Sequence, residues 1–252
     1  MLKTVDLALQ VLMMFTHQEN KWLGKELSQT MDENYSSIYR ILKTLQKRGF
    51  LDYNPSSKEY SLGITLWQLG QVKYESMNLE ELIRPSLVRL CEQTGESIFF
   101  TIRRGNKGIT LLAEEPTSKV KFDAEIGASV PLFPGASYRS ILAYQSEEFV
   151  DQLISEGLTQ FTPRTLTNPH ILKKELARIR LEGYAESEGE YTADVIAIAV
   201  PIRDYENKVN CSVTLSGPTY RLDKLTLDSN LIRLKEVALD IERILRSMSY
   251  TF

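Results

Sequence analysis

Residues 36–63, SSIYRILKTLQKRGFLDYNPSSKEYSLG, decide how this chain is read. If Ser36 to Gly49 is helical, Ile38, Ile41, Leu42 and Leu45 recur at helical spacing and make one apolar stripe. Ser36, Arg40, Lys43 and Lys47 then share the opposite face, and no acidic residue interrupts them. Ser36 or Ser37 is suited to cap the start, because a hydroxyl oxygen there accepts from a free backbone N–H. Gly49 ends the helix as a left-handed cap. Two short alternating runs follow, Phe50 to Asn54 and Glu59 to Leu62, around Pro55-Ser-Ser-Lys58. That pattern predicts a β-hairpin.

Upstream, helical periodicity runs from Val5 to about Phe15, with Leu9, Leu12 and Met13 expected on one buried side. Gly24 to Met31 reads as a second short helix that buries Leu27 and Met31, and Asp32 to Ser36 is polar and turn-like. Three helices and a hairpin make a winged helix-turn-helix. A recognition helix needs an apolar side to seat it and a side of donors facing base edges and phosphates. Arg40 has the planar fork for a guanine edge or a phosphate, while Lys43 and Lys47 are point-charge partners for phosphates. Ser36, Ser37 and Tyr39 complete the candidate surface, and Lys58 at the hairpin tip extends it toward a groove or the backbone. The expected partner is duplex DNA.

The net charge of −3 over 252 residues does not itself point to nucleic acid; the local basic stripe does. The length suits two modest domains. No run approaches the ~18 apolar residues that a membrane span needs, and MLKTVDLALQ does not read as a signal peptide. A cytoplasmic location without a membrane partner is therefore expected. Cys91 and Cys211 lie far apart and are expected to be reduced packing thiols, with no metal site. Only His17 and His170 are available as histidines, and no nucleophile elbow, P-loop or HExxH occurs. Ser137 follows Pro134-Gly-Ala without a base nearby in the sequence. No enzyme, catalytic residue or cofactor is expected.

Ile64 to Asn78 reads as a linker helix whose Leu66, Leu69 and Val72, with Trp67 and Tyr74 alongside, are expected to meet a second protomer. The expected division is 1–63 for DNA binding, 64–78 for the linker and 79–252 for a second domain of mixed helices and strands. In that domain Asn78 and Glu81 resemble a capping box opening a helix to Gly95, bent near Pro85. Strands are expected at Ser97–Arg103, Ile109–Ala113, Lys119–Ala124, Asp194–Ile202 and Val209–Leu215. Helices are expected at Ala136–Tyr144, from Asn168-Pro169 to Gly183, and at Leu227–Leu245. This predicts an α+β fold. The turn at Gly135-Ala136-Ser137 presents backbone N–H groups at a helix start, suited to a carboxylate. Thr214 and Ser216 alternate along a strand, so their hydroxyls share one face.

Many segments, in order and spacing, resemble the IclR family of transcriptional regulators: TVDLALQVL, GKELSQTM and the opening stretch, then VPLFPGASYRSILAY, FTPRTLTNPHILKKELARIRLEGYA, EGEYTADVIAIAVPI and VTLSGPTYRL. The resemblance implies a winged helix-turn-helix joined by a helix to a GAF-like effector-binding domain, in a homodimer or homotetramer. It implies an effector pocket built from Ala136, Ser137, Ser187, Tyr191, Ala197, Thr214 and Ser216, and an organic or aromatic acid as effector. Phe133 and Tyr138 depart from the family pattern and would make that pocket tighter and more aromatic. The alternative is a DNA-binding protein whose second domain is a vestigial sensor kept for assembly.

Overall fold

The computed structural model describes residues 2–16, 19–75, 78–116 and 126–252, without the side chains of residues 73–75 and 78. Two compact units result, Met1–Asn78 and Leu79–Phe252.

In the first unit, α1 (Lys3–Met13), α2 (Gly24–Thr30) and α3 (Tyr35–Lys47) surround a core of Leu7, Val11, Leu27, Ile38, Ile41 and Leu42. The inward stripe of α1 is Leu7 and Val11; the expected Leu9 and Met13 face outward. Leu7 and Val11 lie one turn apart, with Phe15 completing the row, so the helix turns a different apolar side to its neighbours. The hairpin consists of β2 (Leu51–Tyr53) and β3 (Glu59–Leu62), and β3 also pairs with a strand that the sequence reading passed over, β1 (Lys21–Leu23). Three residues are too few to show an alternation. Gly63 allows the chain after the hairpin to cross close to Gly49, where an added Cβ would stand 2.2 Å from the Gly49 carbonyl oxygen. There α4 (Ile64–Glu75) begins, with Ile64, Trp67, Leu69 and Val72 exposed. Tyr74 and the Asn78 side chain fall outside the described residues.

The second unit is built on one antiparallel sheet in the order β6-β5-β4-β9-β8-β7. Its strands are β4 (Ser97–Arg104), β5 (Lys107–Glu114), β6 (Ser129–Pro131), β7 (Ala185–Glu188), β8 (Val195–Arg203) and β9 (Val209–Pro218). Period-two alternation divides the sheet. Ile98, Phe100, Ile196, Ile198, Val200, Cys211, Val213 and Leu215 pack on one face with α5 (Asn78–Thr94) and α9 (Lys224–Ser247). The helix α5 continues through Pro85. The other face carries Ala197 and Ala199 beneath α6 (Gly135–Leu142), with α7 (Glu147–Ser155) and α8 (Pro169–Glu182) in the same core.

The ends of α8 match the expected signals: Asn168 accepts from the His170 and Ile171 N–H groups, Pro169 opens the helix, and Gly183 closes it at φ 77°. The sequence reading did not assign β6, β7 or α7. The strand expected at Lys119–Ala124 and residue His17 lie outside the described residues. Both cysteines are free and buried.

Candidate functional site

The first candidate surface is α3. Its cap is Asn34 rather than Ser36 or Ser37: the Asn34 Oδ1 accepts from Ser36 N at 2.9 Å and from Ser36 Oγ at 2.8 Å. The helix therefore starts earlier than expected, and both serines become exposed first-turn residues. Ile38, Ile41 and Leu42 seat the helix, and Tyr39, Arg40, Lys43 and Lys47 project from the exposed side. Among the described residues no carboxylate pairs with Arg40, Lys43, Lys47 or Lys58. Unbalanced cations on one seated helix are a surface for a polyanion.

Lys43 is nevertheless held: its Nζ stands 5.0 Å from the Tyr53 ring centroid and 5.7 Å from that of Tyr39, and donates to Gln46 Oε1 at 3.3 Å. Cation–π contacts of this kind orient an ammonium group without neutralising it. Tyr53 belongs to the hairpin, and no local pattern in the sequence tied it to Lys43. Behind it, burial pushes the Tyr60 phenol up, with Tyr53, Tyr39 and Tyr35 adding to the effect. At the hairpin tip Asn54 accepts from Ser56 N at 2.9 Å, and Lys58, at φ 62°, is exposed.

The second candidate site lies between α6 and the sheet. Strand register places Ser187, Ala197, Ser216 and Ser97 in one row across β7, β8, β9 and β4. Ala185, Ala199, Thr214 and Phe99 make the next row. Ala136 N donates to Ser187 Oγ at 2.9 Å, and a Cβ at Gly135 would stand 3.7 Å from Tyr191 Cβ. Ser212 Oγ donates to the Ser137 carbonyl at 2.9 Å. The residues expected from the resemblance thus converge on one place. The backbone seat expected for a carboxylate is, however, already used. Ser187 takes the Ala136 N–H, and Glu190 Oε2 lies 3.4 Å from Gly135 N.

Glu190 also binds Arg139, which is only 1% exposed. Arg139 Nη1 donates to Glu190 Oε2, and Nη2 donates to Glu190 Oε1 at 2.9 Å and to the Glu186 carbonyl at 2.7 Å. Glu175 lies 3.8 Å away. Burial raises the Glu175 carboxyl, but hydrogen bonding from Arg178 and the charges of Arg139 and Arg178 outweigh it, so the group sits below its usual value. Sequence reasoning gave Glu190 no role of its own, because its partner is 51 residues away. It also missed Ser212, which the period of Thr214 and Ser216 contained.

Aromatic rings border the site. Tyr138 lies over Gly108, where an added Cβ would stand 2.4 Å from the ring; burial pushes its phenol up to about 12 despite a hydrogen bond with Thr110. Its ring is edge-on to Tyr191 at 6.2 Å, and Tyr191 is 5.0 Å from Phe161. Thr214 Oγ1 and Thr101 Oγ1 are buried without a hydrogen-bond partner.

A DNA-binding helix-turn-helix unit followed by an α+β sheet unit with a small hydroxyl-lined site defines a class of sensory transcription factor. The chain belongs to the IclR family: residues 4–55 match the IclR helix-turn-helix domain and residues 71–243 the C-terminal domain of bacterial IclR transcriptional regulators. It is 29% identical over 246 residues to the HTH-type transcriptional regulator XynR of Escherichia coli strain K12, covering 97% of each chain. The structure resembles an IclR transcriptional regulator from Alicyclobacillus acidocaldarius with a TM-score of 0.85, 26% identity and coverage of 96% and 98%. It shares its fold, with a TM-score of 0.81, 22% identity and coverage of 97% and 99%, with an IclR homologue from Microbacterium hydrocarbonoxydans that was solved with 4-hydroxybenzoate. Proteins of this family are transcriptional regulators, not enzymes. No helix among the described residues is long and apolar enough to cross a membrane.

Proposed function

We propose that this protein is a cytoplasmic, operator-binding regulator that acts as a dimer and is controlled by a small molecule held between α6 and the sheet. The observation that carries the DNA half is the face of α3, where Arg40, Lys43 and Lys47 project unpaired by any described carboxylate from a helix locked by Ile38, Ile41 and Leu42. Ser36, Ser37 and Tyr39 widen that face, and Lys58 brings the hairpin to the same duplex. Two copies related by a two-fold axis would read a pseudo-palindromic site. Exposed Leu2 before α1, Val5, Leu9 and Met13 on it, and Trp67, Leu69 and Val72 on α4 support a contact with a second copy. A groove of about 590 Å³ between α1 and α3, lined by Val5, Leu9, Leu12, Ile41 and Leu45, adds to it.

The effector half rests on the convergence of Ala136, Ser137, Ser187, Tyr191, Ala197, Thr214 and Ser216. For an organic or aromatic acid to be the ligand there, its carboxylate has to displace Glu190 or Ser187 from the start of α6. A domain kept only for assembly has no use for buried hydroxyls without partners, since each costs about 1–3 kcal/mol; Thr101 and Thr214 argue for a working site.

The test is selection of genomic fragments by the full chain, followed by sedimentation of the complex on the recovered site. A pseudo-palindrome bound by two protomers is expected, and Leu69→Asp should yield monomers with weakened binding, because a charge would be forced into an apolar contact. A dimeric Leu69→Asp variant with unchanged affinity would contradict the assembly, and recovery of no preferred sequence would contradict the regulator.

A further inference from the structure

We infer that the ligand of the α6 site is a neutral, polyhydroxylated molecule of the sugar or polyol class rather than a carboxylic acid, an inference that rests on the effector reading above. The first ground is charge. The buried cation of the site is Arg139, and the chain's own Glu190 binds both of its terminal nitrogens, with Glu175 close behind. The positive end of α6 is answered by that same Glu190 through Gly135 N, and the Ala136 N–H is held by Ser187. A helix start favours an anion only while its N–H groups are free to meet it. An acid arriving here meets a buried carboxylate, and among the described residues of the site no cation is left over to balance it. Burying a second negative charge without a partner is strongly unfavourable.

The second ground is what remains unsatisfied. Thr214 Oγ1 and Thr101 Oγ1 are fully buried and have no partner, and the Nε–H of Arg139 is a further donor without an acceptor. Ser216 Oγ reaches only the Ile196 carbonyl, at a long 3.4 Å. Buried polar groups in a native protein are nearly always paired, so unpaired ones mark where a partner belongs. Hydroxyls both donate and accept, which suits them to other hydroxyls. The floor among them is small, with Ala197 and Ala199 beside Thr214 and Ser216 in register. Beside α6 stands a cluster of rings, with Tyr138 edge-on to Tyr191 and Tyr191 5.0 Å from Phe161. Hydroxyl floor, neighbouring rings and cancelled charge together fit a polyol and leave an acid no unbalanced cation.

The experiment uses the full chain and matched pairs that differ only in the acid: glucose with gluconate, ribose with ribonate, together with sorbitol and 4-hydroxybenzoate, each by thermal shift and calorimetry. At least one sugar or polyol is expected to raise Tm and to bind roughly tenfold or more tightly than its acid, the worth of one good hydrogen bond or more. Thr214→Val should raise the Tm of the ligand-free protein and weaken sugar binding roughly tenfold, a pair of effects that loss of fold cannot produce. Glu190→Gln should shift preference toward the acid of each pair; if that variant does not fold, Thr214→Val alone decides. Stabilisation by no sugar or polyol overturns the inference. So does tighter binding of an acid to the wild type, and if Thr214→Val weakens that acid the effector site itself stands. A ligand indifferent to Thr214→Val overturns both the inference and the site.

Discussion

The exposed face of α3 and the buried floor under α6 handle charge in opposite ways. On α3, cations are left without carboxylates and neutral side chains only orient them, as Tyr53 and Tyr39 do for Lys43. Under α6, the terminal nitrogens of the cation are taken by the Glu190 carboxylate and the Glu186 carbonyl, and the groups left open are hydroxyls and the Arg139 Nε–H. A surface that meets a polyanion in water can hold unbalanced charge at little cost, whereas a buried site cannot. Where each region leaves something unpaired indicates the partner it receives.

The largest expected effect comes from breaking the closed pair. Arg139→Leu leaves Glu190 buried and uncompensated and should destabilise the second unit by about 3–5 kcal/mol. Both tryptophans, Trp22 and Trp67, lie in the first unit, so urea unfolding followed by tryptophan fluorescence reports on that unit, while circular dichroism follows both. The variant should move the dichroism transition and leave the fluorescence transition in place; a fluorescence shift of equal size would show that the two regions are not separable. Ile38→Ala tests the converse. Emptying a fully buried position under α3 should cost about 2–5 kcal/mol and move the fluorescence transition first.

Smaller and opposite in sign is Thr214→Val in the ligand-free protein. Removing a buried hydroxyl without a partner should stabilise by about 1–3 kcal/mol, read as a higher Tm. An unchanged or lower Tm would mean that this hydroxyl is satisfied after all, and the contrast between the regions would weaken. The smallest effect concerns Glu175, whose carboxyl sits below its usual value because Arg178 and Arg139 outweigh its burial. Its contribution is present above the unfolded carboxylate value and lost as pH falls through the lowered folded value. Glu175→Gln should therefore lower stability at neutral pH by no more than about 1 kcal/mol, flatten the acid limb, and change little at a pH below both values. An equal loss at acid pH would contradict that assignment.

The two regions also differed in how far the sequence disclosed them. α3 was legible because its seat and its charges repeat within one helix, so Ile38, Ile41 and Leu42 and the opposing Arg40, Lys43 and Lys47 follow from a single period. Its start was misplaced because Asn34, an equally good cap, precedes the serines. In α1 two apolar positions, Leu9 and Met13, were assigned to the wrong side, since Leu2, Val5, Leu9 and Met13 form a second apolar row that this protomer leaves exposed. Leu12 does pack against the core. The site under α6 was legible only in parts. Alternation in β9 gave Thr214 and Ser216, and the family resemblance supplied Ser187 and Ala197. The pairing of Arg139 with Glu190 depends on β7 bringing a distant loop back beneath α6, and β7 spans only Ala185–Glu188. Four residues with two glutamates do not read as a strand.

The claim that α3 reads DNA is tested most directly by titrating the recovered operator and a scrambled duplex with wild type, Arg40→Ala and Lys43→Ala across a salt series. Arg40→Ala should lose about 1–3 kcal/mol on the operator and narrow the gap to the scrambled duplex. Lys43→Ala should weaken both duplexes alike and reduce the salt dependence by about one ion. Operator affinity and salt slope unchanged in both variants would contradict the assignment of α3 as the recognition helix.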